Sequence, residues 1–185
     1  MEITILIDNN PHPKLNLLTE HGLSFYFETD GLKWLFDVGA SDKFHSNALN
    51  LGIDIEDIDF LVLSHGHSDH TGGLEQFIKV NHKAQIIMSA EVEGNTFYSY
   101  RLQSKRNISV NHPIVTQNIN RFIFADDNMR ISQSVGLVCK IPRIHETPKA
   151  NSNFYVINSG GEQPDEFKHE IALTLNTVDG LVVFS

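Results

Sequence analysis

Short apolar runs broken by turn residues dominate the chain, and few of them last long enough to make a helix. Ile3–Ile7 is apolar and β-branched and runs into Asp8-Asn9-Asn10-Pro11, the pattern of a strand meeting a turn. Leu15, Leu17 and Leu18 precede His21-Gly22, which predicts a short helix with a glycine stop. Leu23–Thr29 and Leu32–Val38 flank Asp30-Gly31, a strong hairpin signal. Ser41 is placed to cap a helix carrying Phe44, Ala48, Leu49 and Leu51, with Gly52 ending it. Phe60–Leu63 is too short for a helix and predicts a buried strand. A helix over Leu74–Val80 and a strand over Ala84–Ser89 follow.

Residues 91–120 lack a clean period. Phe97, Tyr98, Tyr100, Arg101, Lys105 and Arg106 mix aromatic and basic character. They suit either a substrate-facing insertion or, more simply, an aromatic helix or loop packed on the core. From Arg121 the pattern is again strand-like, over 121–125, 129–132, 136–141, 153–158, 170–175 and 180–185. No repeat, low-complexity tract or shift in composition marks a linker. The expectation is a single domain over 1–185, of α/β class, with sheets covered by helices.

Composition narrows this only modestly. Hydrophobic residues make up 41% of the 185, which argues against disorder, and the formal net charge is −9. The acidity is concentrated: residues 1–70 hold 12 acidic and 3 basic side chains, and 71–185 hold 11 of each. Without a Lys/Arg cluster, nucleic acid is not the expected partner. A lone cysteine, Cys139, cannot form an internal disulfide. The N-terminal apolar run is too short for a signal peptide, and nothing approaches the roughly 18 apolar residues of a membrane span. Together these predict a cytoplasmic protein.

The chemistry concentrates at Ser64-His65-Gly66-His67-Ser68-Asp69-His70, directly after the Phe60–Leu63 strand. Ten histidines in 185 residues would place only about a third of one in any six-residue window, whereas this window holds three. Histidines at i and i+2 project the same way if strand-like geometry continues, and Gly66 would let the backbone turn closely around an ion. Imidazole and carboxylate suit zinc and similar borderline metals, and the Asp-His pair could serve a second ion.

Leu63–Leu74, which ends in Thr71-Gly72-Gly73-Leu74, resembles the signature of the metallo-β-lactamase-fold metal-dependent hydrolases. Ile7-Asp8-Asn9-Asn10, Glu20–Ser24 and Leu35-Phe36-Asp37-Val38-Gly39 are similar to N-terminal motifs of the branch containing the dihydropterin ribofuranosylaminobenzene-phosphate synthases. Ile141-Pro142-Arg143, Glu146, Asp165–Glu170 and Asp179–Ser185 resemble its later segments. The resemblance implies an αββα sandwich, with His65 and His67 on one metal and Asp69 and His70 on another. The ions would be zinc, up to two, with Mn2+ or Fe as alternatives. A water or hydroxide between them would be the nucleophile, oriented by Asp69, and the substrate a small molecule, phosphorylated in this branch. Asp37 resembles a carboxylate that hydrogen-bonds a ligand histidine, or else it is a strand-end Asp near the Ser41 helix; Asp8 admits the same two readings.

Family members continue past the strand matching Gly180–Phe184 into a Gly-Cys-Ser-His segment, and later a Gly-Gly-Phe-His segment, that supply further ligands. The resemblance therefore implies a sandwich incomplete at its C-terminal end, with a metal site short of ligands. His169 could line the site or form a surface pair with Glu170, and His145 falls in a Pro-flanked loop that reads as solvated. The terminal strand would leave an apolar edge, inviting a homo-oligomer or a complementing chain. Two functions follow: a metal-dependent hydrolase, or a non-catalytic metal- or ligand-binding remnant or subunit that needs a partner. Arg101, Lys105, Arg106 and Arg143 are the candidates for meeting an anionic substrate group, or are simply solvated.

Overall fold

The computed structural model describes residues 2–101, 104–146 and 148–185. The fold starts from the Asp30-Gly31 turn, where both residues have positive φ, 55° and 73°. That backbone matches the right-handed twist of the strands it joins. These are β2 (Ser24–Thr29) and β3 (Leu32–Phe36), with Phe25 opposite Phe36 and Phe27 opposite Trp34. β1 (Ile3–Ile7) adds antiparallel to β2. On the other side of β3, β4 (Phe60–Val62), β5 (Gln85–Ser89) and β8 (Phe122–Ala125) continue the sheet in parallel. Parallel neighbours need crossovers. These contain α1 (Lys43–Asn50), α3 (Leu74–Val80) and α4 (His112–Gln117), whose Phe44, Ala48, Phe77 and Val115 join one core on the same face of the sheet.

Strand alternation divides the interior in two. Leu35, Leu61, Ile86 and Met88 face the helices, whereas Trp34, Phe36, Val62 and Ile87 face the opposite way. That second face meets an antiparallel sheet of β9 (Met129–Arg130), β10 (Val135–Val138), β13 (Ala172–Thr177) and β14 (Gly180–Phe184), in the order β14-β13-β10-β9. Leu137, Leu173 and Leu175 fill the space between the sheets, and Phe25 stacks on Phe36 at 4.8 Å and lies 4.6 Å from Phe184. Each such side chain contributes roughly 1.5–3 kcal/mol by burial. A one-residue slip would turn the whole set outward, so the register is strongly specified. A mixed sheet and an antiparallel sheet thus pack face to face, with helices on the outer face of the first. On the outer face of the second sheet, Leu181 and Val183 remain exposed among the described residues.

A third sheet, β12-β11-β6-β7, is built from β6 (Thr96–Arg101), β7 (Ser104–Asn107), β11 (Phe154–Asn158) and β12 (Gly161–Pro164). It corrects the reading of the aromatic part of residues 91–120 as a helix or loop, since Thr96–Arg101 and Ser104–Asn107 pair as a hairpin and the α-helix of that stretch begins only at His112. Its alternation was masked because aromatic residues occupy both faces: Phe97 is buried, while Tyr98 and Tyr100 point the other way. β12 carried no apolar signal at all, since its four residues are exposed.

Two further expectations fail locally. Residues 11–20 form no helix, although Leu15, Leu17 and Leu18 suggested one. Instead His12 Nδ1 accepts the N–H groups of Lys14 and Leu15, and the buried Asn47 of α1 takes over the backbone of Leu18. Ser41 stands one residue before the cap position, which Asp42 holds; its Oγ donates to Glu20 Oε2 at 2.6 Å and accepts only a long bond, 3.4 Å, from Lys43 N at the start of α1. No helix among the described residues is long and apolar enough to cross a membrane.

Asn47 generates the first prediction. Its Nδ2 donates to Leu6 O at 2.7 Å and Leu18 O at 2.8 Å, and its Oδ1 accepts from Leu18 N at 2.9 Å. Asn47→Ala leaves these backbone groups without partners and should cost about 2–4 kcal/mol in urea denaturation. Hydrogen exchange should rise first in residues 11–20, and a cost below about 1 kcal/mol would show that this segment is held by something else.

Candidate metal centre

The histidine motif stands where the parallel strands of the large sheet end. Phe36 pairs with Val62, so Asp37, one residue past β3, arrives beside Leu63 and Ser64, just past β4. Asp37 N donates to Val62 O at 2.9 Å, and Leu63 N donates to Ile87 O at 2.9 Å. The chain then turns into a single helical turn, α2 (Ser68–Thr71), which carries Asp69 and His70. Thr71 Oγ1 ties this turn to His67 O. The two glycines that follow have a steric reason: a Cβ on Gly72 would lie 2.2 Å from Ala40 O, and one on Gly73 2.3 Å from Val38 O. Gly66 serves packing rather than a tight turn. A Cβ there would lie 2.8 Å from the Phe97 ring.

Asp37 organises one half of the site. It is fully buried and adopts φ 57°, a left-handed backbone that is uncommon outside glycine. Its Oδ1 accepts from Ser64 N at 2.7 Å, and its Oδ2 accepts from Ser64 Oγ at 2.7 Å and from His70 Nδ1 at 2.6 Å. With its hydroxyl proton committed to Asp37, Ser64 Oγ is left to accept from His65 Nδ1 at 2.8 Å. Both imidazoles therefore hold their proton on Nδ1 and keep the Nε2 lone pair free. That is the tautomer a metal-binding histidine needs, fixed by a carboxylate behind it. His65, Asp69 and His70 offer ligand atoms within 4.8 Å of one another.

A second buried carboxylate organises the other half. Asp165 Oδ2 lies 3.3 Å from His67 Nε2 and 3.1 Å from His169 Nε2, and all three residues are at most 5% exposed. His169 Nδ1 accepts the backbone N–H of Gly66 at 3.0 Å, so its proton must sit on Nε2 and point at Asp165. Although these three residues are close enough to surround an ion, that tautomer makes His169 a brace for Asp165 and not a neutral ligand. Asp165 in turn occupies His67 Nε2. His67 Nδ1, without a hydrogen-bond partner among the described residues, is the nitrogen left for an ion. The residues thus fit a divalent ion best at His65, Asp69 and His70, with His67 adjoining; the His65 ring lies 4.7 Å from that of His67 and 4.2 Å from that of His70.

The electrostatics follow the burial. His65 is pushed well below the usual imidazole range by burial and by the neighbouring histidines. His67, boxed by Phe97, Phe154 and Phe167, is also lowered by burial, against the opposing pull of Asp165. Neutral imidazoles are the form that binds metal. For His70, burial is the largest single influence and pulls downward, but the Asp37 charge, the Asp37 hydrogen bond and the Asp69 charge together outweigh it, and the net shift is upward. Asp165 stays ionised despite burial, because His169 and His67 hydrogen-bond to it.

The structure thus brings His65, His67, Asp69, His70, Asp37 and His169 together. His169 is 2% exposed, which removes its reading as a surface pair with Glu170; Glu170 pairs with Arg143. His145 is exposed in its loop, and Asp8 is exposed and accepts from Asn9 N, a turn role. Asp165, Ser64 and His21 were not singled out from sequence. All three lie inside segments that resemble the family but carry no spacing signal of their own. His21 Nε2 reaches Asp69 Oδ2 at 3.3 Å only because Gly22 packs on that turn, where a Cβ would lie 2.1 Å from Asp69 O.

Comparison with known proteins bears on the family and the fold. Residues 19–148 match the metallo-beta-lactamase superfamily. The 7,8-dihydropterin-6-methyl-4-(beta-D-ribofuranosyl)-aminobenzene-5'-phosphate synthase of Methanocaldococcus jannaschii is 27% identical over 90% of this chain and 60% of its own length. An uncharacterized protein of the same organism, MJ0448, is 38% identical over 92% of this chain and 64% of its own. The chain thus spans under two thirds of the length of these relatives. Among solved structures, Tm1679, a metal-dependent hydrolase of the beta-lactamase superfamily, superposes with TM-score 0.78 and 28% identity, over 98% of this chain and 63% of that one.

Asp37→Asn tests the role of the carboxylate while sparing the backbone, since Asn tolerates the left-handed conformation. The new amide presents a donor where His70 Nδ1–H needs an acceptor, which favours the tautomer with the proton on Nε2. Affinity for a divalent ion, measured by competition with a chromogenic chelator, should fall roughly 10–100-fold. Unchanged affinity would mean that His70 is not a ligand.

Proposed function

The chain belongs to the metallo-beta-lactamase superfamily, and from that premise we propose that it is a hydrolase of a small-molecule ester or phosphoester that works with zinc. Mn2+ or Fe are the alternative ions, since imidazole and carboxylate donors serve all three. The carrying observation is the pair of buried carboxylates, Asp37 and Asp165. Each holds one imidazole of the motif by one nitrogen and leaves the other nitrogen for an ion. In this reading His65, His67, Asp69 and His70 hold up to two ions. When bound, the metal supplies Lewis-acid activation of water and of the scissile group.

The chain's own residues do the rest. Asp69 is partly exposed at the cleft, with Oδ2 3.3 Å from His21 Nε2 and 3.8 Å from His70 Nε2. It orients the attacking water and accepts its proton at Oδ2, and His21 can relay that proton to solvent. Phe97, Phe154 and Phe167 keep bulk water away from the rear of His67. The branch similarity points to a phosphorylated substrate, with attack at phosphorus or at a carbonyl carbon.

One observation favours a second reading, a binding module without turnover. Asp165 and His169 satisfy each other, so His67 contributes a single free nitrogen, and a second ion finds few donors among the described residues. Catalytic zinc usually has three protein ligands. A partner chain would then complete the site.

Elemental analysis of protein purified without chelator tests both readings. Stoichiometric Zn, Mn or Fe is expected, with a clear loss in His67→Ala; absence of metal, or content unaffected by the substitution, overturns the centre. Turnover of generic phosphodiesters and lactones should disappear on chelation, return with the ion, and drop about 100-fold or more in Asp69→Asn. A fully loaded protein without turnover supports the binding module instead.

A further inference from the structure

We propose that Arg101, Arg106 and Ser99 on the β6–β7 hairpin form an anion subsite that holds a second, non-reacting phosphate group of the substrate beside the metal centre. The inference rests on the hydrolase reading and names the substrate class more closely. Its basis is the hairpin register. Ser99 pairs with Arg106 and Arg101 with Ser104, and residues directly opposite in an antiparallel pair share a face. Ser99, Arg101, Ser104 and Arg106 therefore stand together on one face, and all four line a cleft of about 470 Å³ that also includes His67 and Asp69. Phe97, two residues before Ser99 on the same face, lies 4.1 Å from the His169 ring. With about 3.3 Å of rise per residue, Ser99 is about 7 Å and Arg101 about 13 Å along the strand from Phe97. A small organic molecule can bridge that interval.

The four basic candidates separate cleanly here. Lys105 lies on the opposite face, paired with Glu162 at 3.0 Å and seated over the Tyr98 ring. Arg143 is committed to Glu170. Among the described residues, neither Arg101 nor Arg106 forms an ion pair. They are diagonal neighbours on one face, an arrangement of like charges that an intervening anion would stabilise. Two guanidinium forks match the oxygens of a phosphate better than any single cation does.

Ser99 is an independent pointer to a ligand. It is 6% exposed and lines the same cleft, and its Oγ is buried without a hydrogen-bond partner among the described residues. Buried hydroxyls seldom remain unsatisfied, and a phosphate oxygen between the arginines would accept its proton. The hairpin is also held firmly to the motif. Ser68 N donates to Ile108 O, and Val110 N to Gly66 O, at 2.6 and 2.8 Å. A group bound on the hairpin is thereby kept at a set distance from the centre.

The test uses the full chain loaded with its divalent ion and two kinds of probe: propyl phosphate, and the bisphosphates of linear α,ω-alkanediols from propane to hexane. Binding is read by calorimetry. Wild type should bind the best-fitting bisphosphate at least about tenfold more tightly than propyl phosphate. Arg101→Gln/Arg106→Gln should keep its affinity for propyl phosphate and its melting temperature but lose that preference. Ser99→Ala should lose part of it. A wild-type protein that shows no preference, or a double variant that keeps it, overturns the subsite. The measurement is at equilibrium, so a protein that shows the arginine-dependent preference but no turnover supports the subsite while counting against the hydrolase reading.

Discussion

The site depends on a buried negative charge that must be satisfied. Asp37 is fully desolvated, and an isolated carboxylate there would be costly. Its partners are the Ser64 backbone, the Ser64 hydroxyl and the His70 ring, all on the segment that carries the metal-ligand candidates. Meeting the needs of this one charge therefore orients His65 and His70 before any ion arrives. The left-handed backbone at Asp37 is held from both sides, by Val62 O on its own N–H and by Ser24 Oγ on its carbonyl. Strain at such a position persists only where the surroundings over-determine it.

Asp165 repeats the device from the far end of the chain. It enters beside the third sheet, and its partners His67 and His169 close a chain of hydrogen bonds that begins at the Gly66 N–H. Ile171 N donates to Ser64 O at 2.7 Å, so the segment leading into the second sheet is bonded to the same turn. The site thus lies where the three sheets meet, with Asp37 and the motif at the end of the first, Phe97 from the third, and Asp165 and His169 from the segment between the third and the second. This explains why an aromatic hairpin of unclear period belongs to the centre: Phe97 fills the space that Gly66 leaves and shields both His67 and His169.

Much of this was legible from sequence where the signal is local. The Asp30-Gly31 hairpin, the strand before the motif and the Leu74–Val80 helix each follow from spacing within a few residues. So does the His65–His70 cluster, because several ligands from one turn need no long-range information. Residues 15–18 show the opposite case: a leucine pattern suited to a helix yields to Asn47, which offers that backbone better-placed partners from 29 residues away. His169 and Asp165 show it again. For His169 the sequence leaves lining the site and a surface pair both open, and for Asp165 it carries no signal; only the fold puts them beside His67, about a hundred positions earlier.

The sequence by itself determined which residues of the motif could ligate and where the clearest strands and helices run, because both depend on chemistry and short periodicity. Only the tertiary structure decided which nitrogen of each histidine is free. That choice belongs to the carboxylate or backbone group behind the ring, and those groups come from other strands. It likewise decided that Arg101 and Arg106 face the histidine cleft while Lys105 does not. A strand shows which residues share a face, but only its packing shows what that face looks at.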